Sequence, residues 1–548
     1  MLDITRFLAR RCALGAVHYA VTTPLVRWTW RGLSDDRFEG ALPEFRPSDV
    51  ESVIDMMQGR YLFSGKLVDT EGVSPFAVTV DNEDWVQALQ GFAWLRHFRD
   101  LRDEGSRRFA RTLVLDWIGR SRPLDGKGWG AAQTAQRVMN WLRHYPLLVE
   151  DATPEQKATI ARSLGTQVQV LRVRARFIGE PVEKLLVAIA LSAASICLDN
   201  EGAVEHHTLR MQRLLGQQLD KDGLHLSRSP RIQLQLLVEL VTLRMALGRR
   251  FGELADLIVP DIEAMHRALD RLILSSGETV YFNGGGQLPH DIVVAVQAQS
   301  QERRHDDVQA VTGGYGRLQW GRSTLIADGG AVPPLDFSGE ASAGALAFEF
   351  SHGGDLIIGN CGPAPAELAE GKLLFRRGIA HSGVSIDAQS PARIVETGPL
   401  KGRMQALAPD GEMRLDGNER VLHLQTHGFA KSFGVSLERS LTLLSEGRTL
   451  VGQDRIVGSG GTASGTVSIR FHLAPGAAVE PSQESDVLTI RLANGSEWTF
   501  LWEGAEMRLD DSVRQSASVG FNATVQIVLE TPAVPGHEVA WILTGETA

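Results

Sequence analysis

Three things are scarce in this chain of 548 residues. Cysteine occurs only at Cys12, Cys197 and Cys361, with no CxxC and no short spacing. That excludes a disulfide framework and gives no zinc-site pattern, so the three read as separate thiols buried like small apolar side chains. Long apolar runs are missing as well. No stretch reaches the roughly 18 residues that suggest a membrane span, so no integral membrane segment is expected. Positive charge is also in deficit: 56 Lys and Arg against 66 Asp and Glu leave a net charge of -10. This balance argues against a nucleic-acid partner, whose phosphates need a basic surface, but a locally basic cleft for a polyanionic sugar stays compatible with it.

At the N-terminus Arg6, Arg10 and Arg11 precede a moderately apolar stretch from Cys12 to Val26. His18, Tyr19, Thr22, Thr23 and Pro24 interrupt it and no small-x-small cleavage site follows, so it does not make a convincing signal peptide. The expectation is a soluble protein, with export left open.

What is present suits a large folded chain. A hydrophobic fraction of 43% is too rich for disorder, and the length calls for more than one core. Over residues 80–275 apolar side chains recur at helical spacing. In TPEQKATIARSLGTQVQVLRVRARF, Thr153 is an N-cap, Pro154 stands at the first helical position and Gln156 completes a capping box. PVEKLLVAIALSAASICL, headed by Pro181, is apolar around most of its circumference and should be an inner helix. Helix after helix without strands implies an α/α toroid or solenoid.

Near Gln301 the texture changes to short strands between glycine-rich turns, and Asn494-Gly495 is a strong two-residue hairpin signal. The boundary falls in QSQERRHDDVQAVTGG, whose charge run Glu302 to Asp307 reads as a solvated linker. The expected division is a helical domain over 1–305 and an antiparallel β-sandwich over 306–548.

Between Gly313 and Gly383, GGYGRLQWGRSTLIADGGAVPP leads into FEFSHGGDLIIGNCG and then RRGIAHSG. This run resembles the start of the β-rich C-terminal domain of the heparinase II/III-like polysaccharide lyases. The similarity extends forward through THGFAKSFGVSLERSLTLL and IRFHL and backward through GLHLSRSP and YFNG. It implies an incomplete (α/α) toroid followed by a β-sandwich, a cell-envelope setting, an acidic polysaccharide partner and β-elimination at C5/O4 of a uronic acid residue. No cofactor is implied; a structural divalent ion in the β-domain has no clear ligand cluster.

Such an elimination needs the uronate neutralised, a base for the weakly acidic C5 proton and an acid for the departing O4. The resemblance places His225, Tyr281 and His381 in the catalytic roles. Gly223 to Pro230 resembles the family's helix-entry motif, with His225 orienting the uronate and Arg228 as its bidentate partner. Many members continue that motif into a Tyr-His pair, whereas Arg231-Ile232-Gln233 follow here. Tyr281 and Asn283 lie in a glycine-rich turn, Tyr281 as base or acid and Asn283 on the carboxylate. His381 matches the family's histidine-small-residue motif, with Arg376 and Arg377 close by. His427 is a further substrate-binding candidate; His472, inside a strand alternation, ranks below it. Gln136-Arg137-Val138-Met139-Asn140-Trp141 resembles the family's arginine-asparagine-tryptophan helix, with Arg137 for a carboxylate and Trp141, like Trp85, Trp94 and Trp129, as a stacking face.

The same residues also read as a fold that has lost turnover, either a glycan-binding protein or an accessory of exopolysaccharide biosynthesis. The missing Tyr-His pair motivates that alternative. A glycoside hydrolase would need a pair of carboxylates across a cleft, and no persuasive acidic pair occurs.

Overall fold

The computed structural model describes residues 2–21, 23, 37–101, 103–121, 127–302, 309–364, 368, 371–408, 411–458, 464–482 and 486–545. Most of the charge run at the expected boundary, and the stretch from Pro24 to Val26, lie outside the described residues.

The chain divides into two compact units. One comprises Met1–Leu219, Gln235–Glu263 and Asp291–Ser300; the other comprises Asp220–Leu234, Ala264–His290 and Gln301–Ala548. The strand-rich unit thus takes in two segments that precede residue 305. The reason is packing: Leu224, Leu272, Val280 and Phe282 form one buried apolar cluster with Tyr315, Ile326 and Ala347.

In the first unit the helices expected over 80–275 are present, joined by one short hairpin that pairs Arg60–Phe63 with Lys66–Asp69. The helix Pro154–Arg174 begins as expected, with Thr153 and Gln156 forming both halves of a capping box, a feature worth about 1 kcal/mol. Pro181–Cys197 buries every residue from Leu185 to Ser195, as its apolar circumference requires, and packs on Ala131–Arg143 and Glu201–Gly216. Two buried arginines of this unit are paired with acids. Arg46 bonds Glu44, and Arg143 bonds Glu239 at 2.6 Å; both arginines donate to Asn140 Oδ1.

The second unit holds antiparallel sheets of nine and eight strands. Strand Thr449–Gly458 alternates buried and exposed side chains along most of its length, as a strand with one face in a core must. Its neighbour Val435–Leu444 sets Arg439 directly opposite Asp454, and the two form a buried ion pair at 2.7 Å to which Trp541 adds a hydrogen bond of 3.0 Å. Inward side chains of both sheets make one core, in which Phe348 and Phe471 meet Trp541 at ring distances of 5.6 and 4.8 Å. Tyr315–Trp320 and Ser323–Asp328 form the hairpin expected from their sequence. Asn494-Gly495 likewise turns Val487–Arg491 into Glu497–Glu503.

Candidate functional site

His225, Arg228, Tyr281, Asn283, Arg377, His381 and His427 all belong to the strand-rich unit, whereas Arg137 and Trp141 belong to the helical one. In the strand-rich unit they fall into two neighbourhoods that differ in how their polar atoms are used.

The first is the turn Gly223–Pro230. Gly223 has φ +84° and a Cβ there would meet the Ala264 backbone at 2.4 Å, so only glycine fits. His225 is fully buried. Its Nδ1 receives the Ser227 amide at 3.1 Å and the Ser227 hydroxyl at 2.8 Å. An amide only donates, so Nδ1 accepts and the ring proton sits on Nε2. Burial pushes the imidazole down to about 3, and it is neutral at neutral pH.

Gln233, in the Arg231-Ile232-Gln233 stretch that follows the motif, closes the same turn. Its Oε1 accepts from the His225 amide at 2.9 Å, and its Nε2 donates to the Gly223 and Met265 carbonyls at 2.9 and 3.0 Å. Ile232 beside it is a buried aliphatic side chain.

Arg228 has the strained left-handed φ of 58°. Its guanidinium binds Asp328 at 2.6 Å, the Gly313 carbonyl at 2.8 Å and the Ala331 carbonyl at 2.9 Å, and lies over the Tyr315 ring. Burial works against this cation and Asp328 more than offsets it, leaving its pKa raised. A Cβ on Gly330 would meet Arg228 Nη2 at 2.4 Å, which shows how closely backbone wraps the guanidinium. Beside the Arg228–Asp328 pair opens a small, solvent-open cleft, with Ser342, Leu346, Gln425 and Thr426 on its walls.

Tyr281 and Asn283 are equally engaged. Asn283 receives the Ser342 amide at 3.0 Å and donates to Tyr315 Oη at 2.5 Å; that hydroxyl in turn donates to the Arg228 carbonyl at 2.7 Å. Tyr281 is buried, its phenol 3.4 Å from the Gln515 carbonyl and its ring 3.7 Å beneath the Arg514 guanidinium. Burial raises its pKa, and Arg514 only partly opposes this.

The second neighbourhood is His381, which follows the short turn Gly378–Ala380. His381 Nδ1 lies 2.9 Å from the Arg377 carbonyl. A carbonyl only accepts, so the ring proton is on Nδ1 and Nε2 is an acceptor. Nε2 has no hydrogen-bond partner among the described residues. Burial lowers the pKa of this histidine against the opposing pull of the Arg377 carbonyl and of Asp328. Arg377 pairs with Glu396 at 2.6 Å, both side chains exposed; such a pair contributes about 0–1 kcal/mol and exchanges readily. Arg376 is held by the carbonyls of Ala341, Gly402 and Ser338, so of the two basic residues Arg377 is the exchangeable one.

Glu349 links the two neighbourhoods. One carboxylate oxygen takes the Tyr281 amide at 3.2 Å and the other the Asn360 amide at 2.8 Å, while Asn360 Oδ1 takes the Ser382 amide at 2.8 Å. Burial raises the pKa of Glu349, and Arg514 opposes the rise. Asp328, Tyr315, Gln233, Glu349 and Arg514 were not legible as site residues from sequence. An acid between two phenylalanines in FEF is the one local signal, since a charge inside a buried strand needs a partner.

Of the remaining candidates, His472 packs against the His381 turn, its amide donating to the Ser382 hydroxyl at 2.8 Å. His427 meets Ser436 at 2.9 Å. His472 accepts from Ser512 at 2.7 Å and donates to the Ile379 carbonyl at 3.1 Å, and burial pushes it down to about 3. In the helical unit Trp141 is fully buried against Phe92 and Trp117. Trp85, Trp94 and Trp129 are buried as well. Among the described residues no group of three or more His, Cys, Asp and Glu is arranged to hold a metal, and no helix is long and apolar enough to cross a membrane.

Residues 302–542 match the family described as heparinase II/III-like, C-terminal. Over 94% of its length the chain is 27% identical to 93% of FtsZ-localized protein C of Caulobacter vibrioides. Among solved structures, heparinase III superposes with a TM-score of 0.73 at 13% identity, over 98% of this chain and 91% of that one. The heparan sulfate lyase HepC of Pedobacter heparinus does so with 0.59 at 13% identity, over 92% and 86%.

Proposed function

Because residues 302–542 of this chain are a heparinase II/III-like C-terminal domain, we propose that it binds an acidic, uronate-bearing glycan on the heparinase fold, with the helical unit as an incomplete toroid, and holds that glycan without cleaving it. One observation carries this reading. Of the three residues expected to do chemistry, His381 alone keeps a ring acceptor without a partner among the described residues, beside the exchangeable Arg377. Around His225, Gln233 stands in a saturated set of hydrogen bonds and Ile232 is apolar. Elimination needs a base, an acid and a cation for the uronate together; Arg228 already faces Asp328, and the Tyr281 phenol is buried.

His381 Nε2 would accept a sugar hydroxyl and Arg377 would exchange Glu396 for the uronate. The similarity, over 94% of this chain, to a protein named for its place at FtsZ favours a role in which a glycan is recognised where FtsZ is found.

A second reading keeps turnover, and the same His381 supports it. A neutral imidazole with an open Nε2 is the form a general base needs for the C5 proton, with Tyr281 returning a proton to O4 and His225, Asn283 and Arg228 orienting the uronate. Titrating a panel of uronate polymers by calorimetry, while following the ultraviolet absorbance of an unsaturated uronate end, separates the two. Binding with a flat trace supports the holding role; a rise that vanishes in His381→Ala and Tyr281→Phe supports the lyase.

A further inference from the structure

In the helical unit, Arg46 and Arg143 face Glu44 and Glu239, but not every buried arginine there faces an acid among the described residues. Arg137, in the helix Ala131–Arg143, is fully buried and forms no ion pair among the described residues. Its Nε donates to Gln167 Oε1 at 2.7 Å and its Nη1 to the carbonyls of Gln90 and Gly128 at 3.2 and 2.8 Å. The guanidinium lies 4.2 Å from the Trp117 ring centroid and 5.3 Å from that of Trp129.

A guanidinium offers Nε–H and Nη2–H as parallel prongs that suit the two oxygens of a carboxylate. Here an amide oxygen meets one prong, and among the described residues neither Arg137 Nη2 nor Gln167 Nε2, on the amide bonded to it, has a hydrogen-bond partner. Two further buried groups of the same helix are without partners among the described residues, Thr134 Oγ1 three residues before Arg137 and Trp141 Nε1 four residues after it. All of these except the threonine hydroxyl can only donate.

Burying unmatched donors around an uncompensated charge is unfavourable, and the natural complement is a group that only accepts and carries negative charge. A water molecule satisfies such a set less well, because its own two protons then need acceptors. Burial lowers the Arg137 pKa to about 9, so the guanidinium still carries its charge at neutral pH.

We propose that Arg137 and Gln167 hold a small monovalent inorganic anion, of chloride size, inside the helical unit. The site is built from residues of the helical unit and does not depend on what the chain does with glycans. Because it binds the folded state only, the anion raises stability with its concentration.

Thermal unfolding of the whole chain, followed by tryptophan fluorescence, is to be compared in sodium chloride and sodium gluconate at equal ionic strength. Chloride is expected to raise the transition by roughly 2–4 °C, and Gln167→Glu, which supplies an internal countercharge, is expected to remove that difference. Equal midpoints in the two salts overturn the proposal, as does a Gln167→Glu variant that keeps the full chloride response. Crystals of the unsubstituted chain grown in bromide give a second readout that needs no variant. An anomalous peak against Arg137 Nη2 supports the site; water alone there overturns it.

Discussion

His225 and His381 are both buried and both held neutral, yet the fold uses them differently. Around His225 the turn is closed from every side that the structure describes: Ser227 caps the ring, Gln233 ties the amide, and Arg228 beyond it is bound to Asp328 and two carbonyls. Around His381 a single carbonyl fixes the tautomer and leaves Nε2 open, next to an arginine in an exposed ion pair. Two histidines expected to share one reaction therefore do different jobs. One sits in a strained turn bonded on several sides, and the other, on the proposed reading, meets a ligand.

The comparison breaks most visibly at Arg228. Arg228→Met leaves Asp328 buried without its cation and is expected to lower stability by about 3–5 kcal/mol in chemical denaturation. A loss under about 1 kcal/mol would mean that the turn is not held by this pair.

Next in size is the acid response of the buried histidines. His225 and His472 go from an ordinary value of 6.5 to about 3 in the fold. The unfolded chain therefore binds more protons between these values, and stability is lost as the pH falls from about 6.5 towards 3. In His225→Gln that slope should be shallower in denaturation curves taken across this window; an unchanged slope would show that the ring is not what acid attacks.

His381→Gln should behave in the opposite way to Arg228→Met. Glycan affinity is expected to fall about tenfold, equivalent to roughly 1.4 kcal/mol, with the folding transition moved far less than by the loss of Arg228. Equal affinity in variant and parent would remove His381 from the binding site. The smallest effect on folding belongs to Arg377→Ala, within about 0.5 kcal/mol because its partner Glu396 is exposed. Calorimetry at low and high salt should nevertheless show weaker binding and a reduced salt dependence.

Much of the architecture was legible in the order of residues, and the site much less so. Thr153, Pro154 and Gln156 announce a helix start through local chemistry, and the inner helix at Pro181 follows from apolar residues on nearly all sides. Those signals act within a few residues and survive any tertiary context. Asp220–Leu234 and Ala264–His290 were not separable from the helical half, because what draws them to the strands is contact with Tyr315, Ile326 and Ala347, far along the chain. The same holds for the chemistry. Nothing around Arg228 in sequence reveals Asp328, one hundred residues away, and nothing near Tyr281 reveals Arg514 over its ring. The one departure visible in sequence, Arg231-Ile232-Gln233 where many members continue into a Tyr-His pair, proved the most informative, since Gln233 bonds across the His225 turn.

The most direct test of a site that holds an acidic glycan without cutting it is one experiment with two readouts: calorimetric binding of a uronate polymer, and the ultraviolet absorbance of the same mixture over time. The account predicts saturable binding that weakens in His381→Gln, with no growth of the unsaturated-uronate absorbance. Steady growth of that absorbance, abolished by His381→Ala, would contradict it and restore β-elimination as the function of this chain.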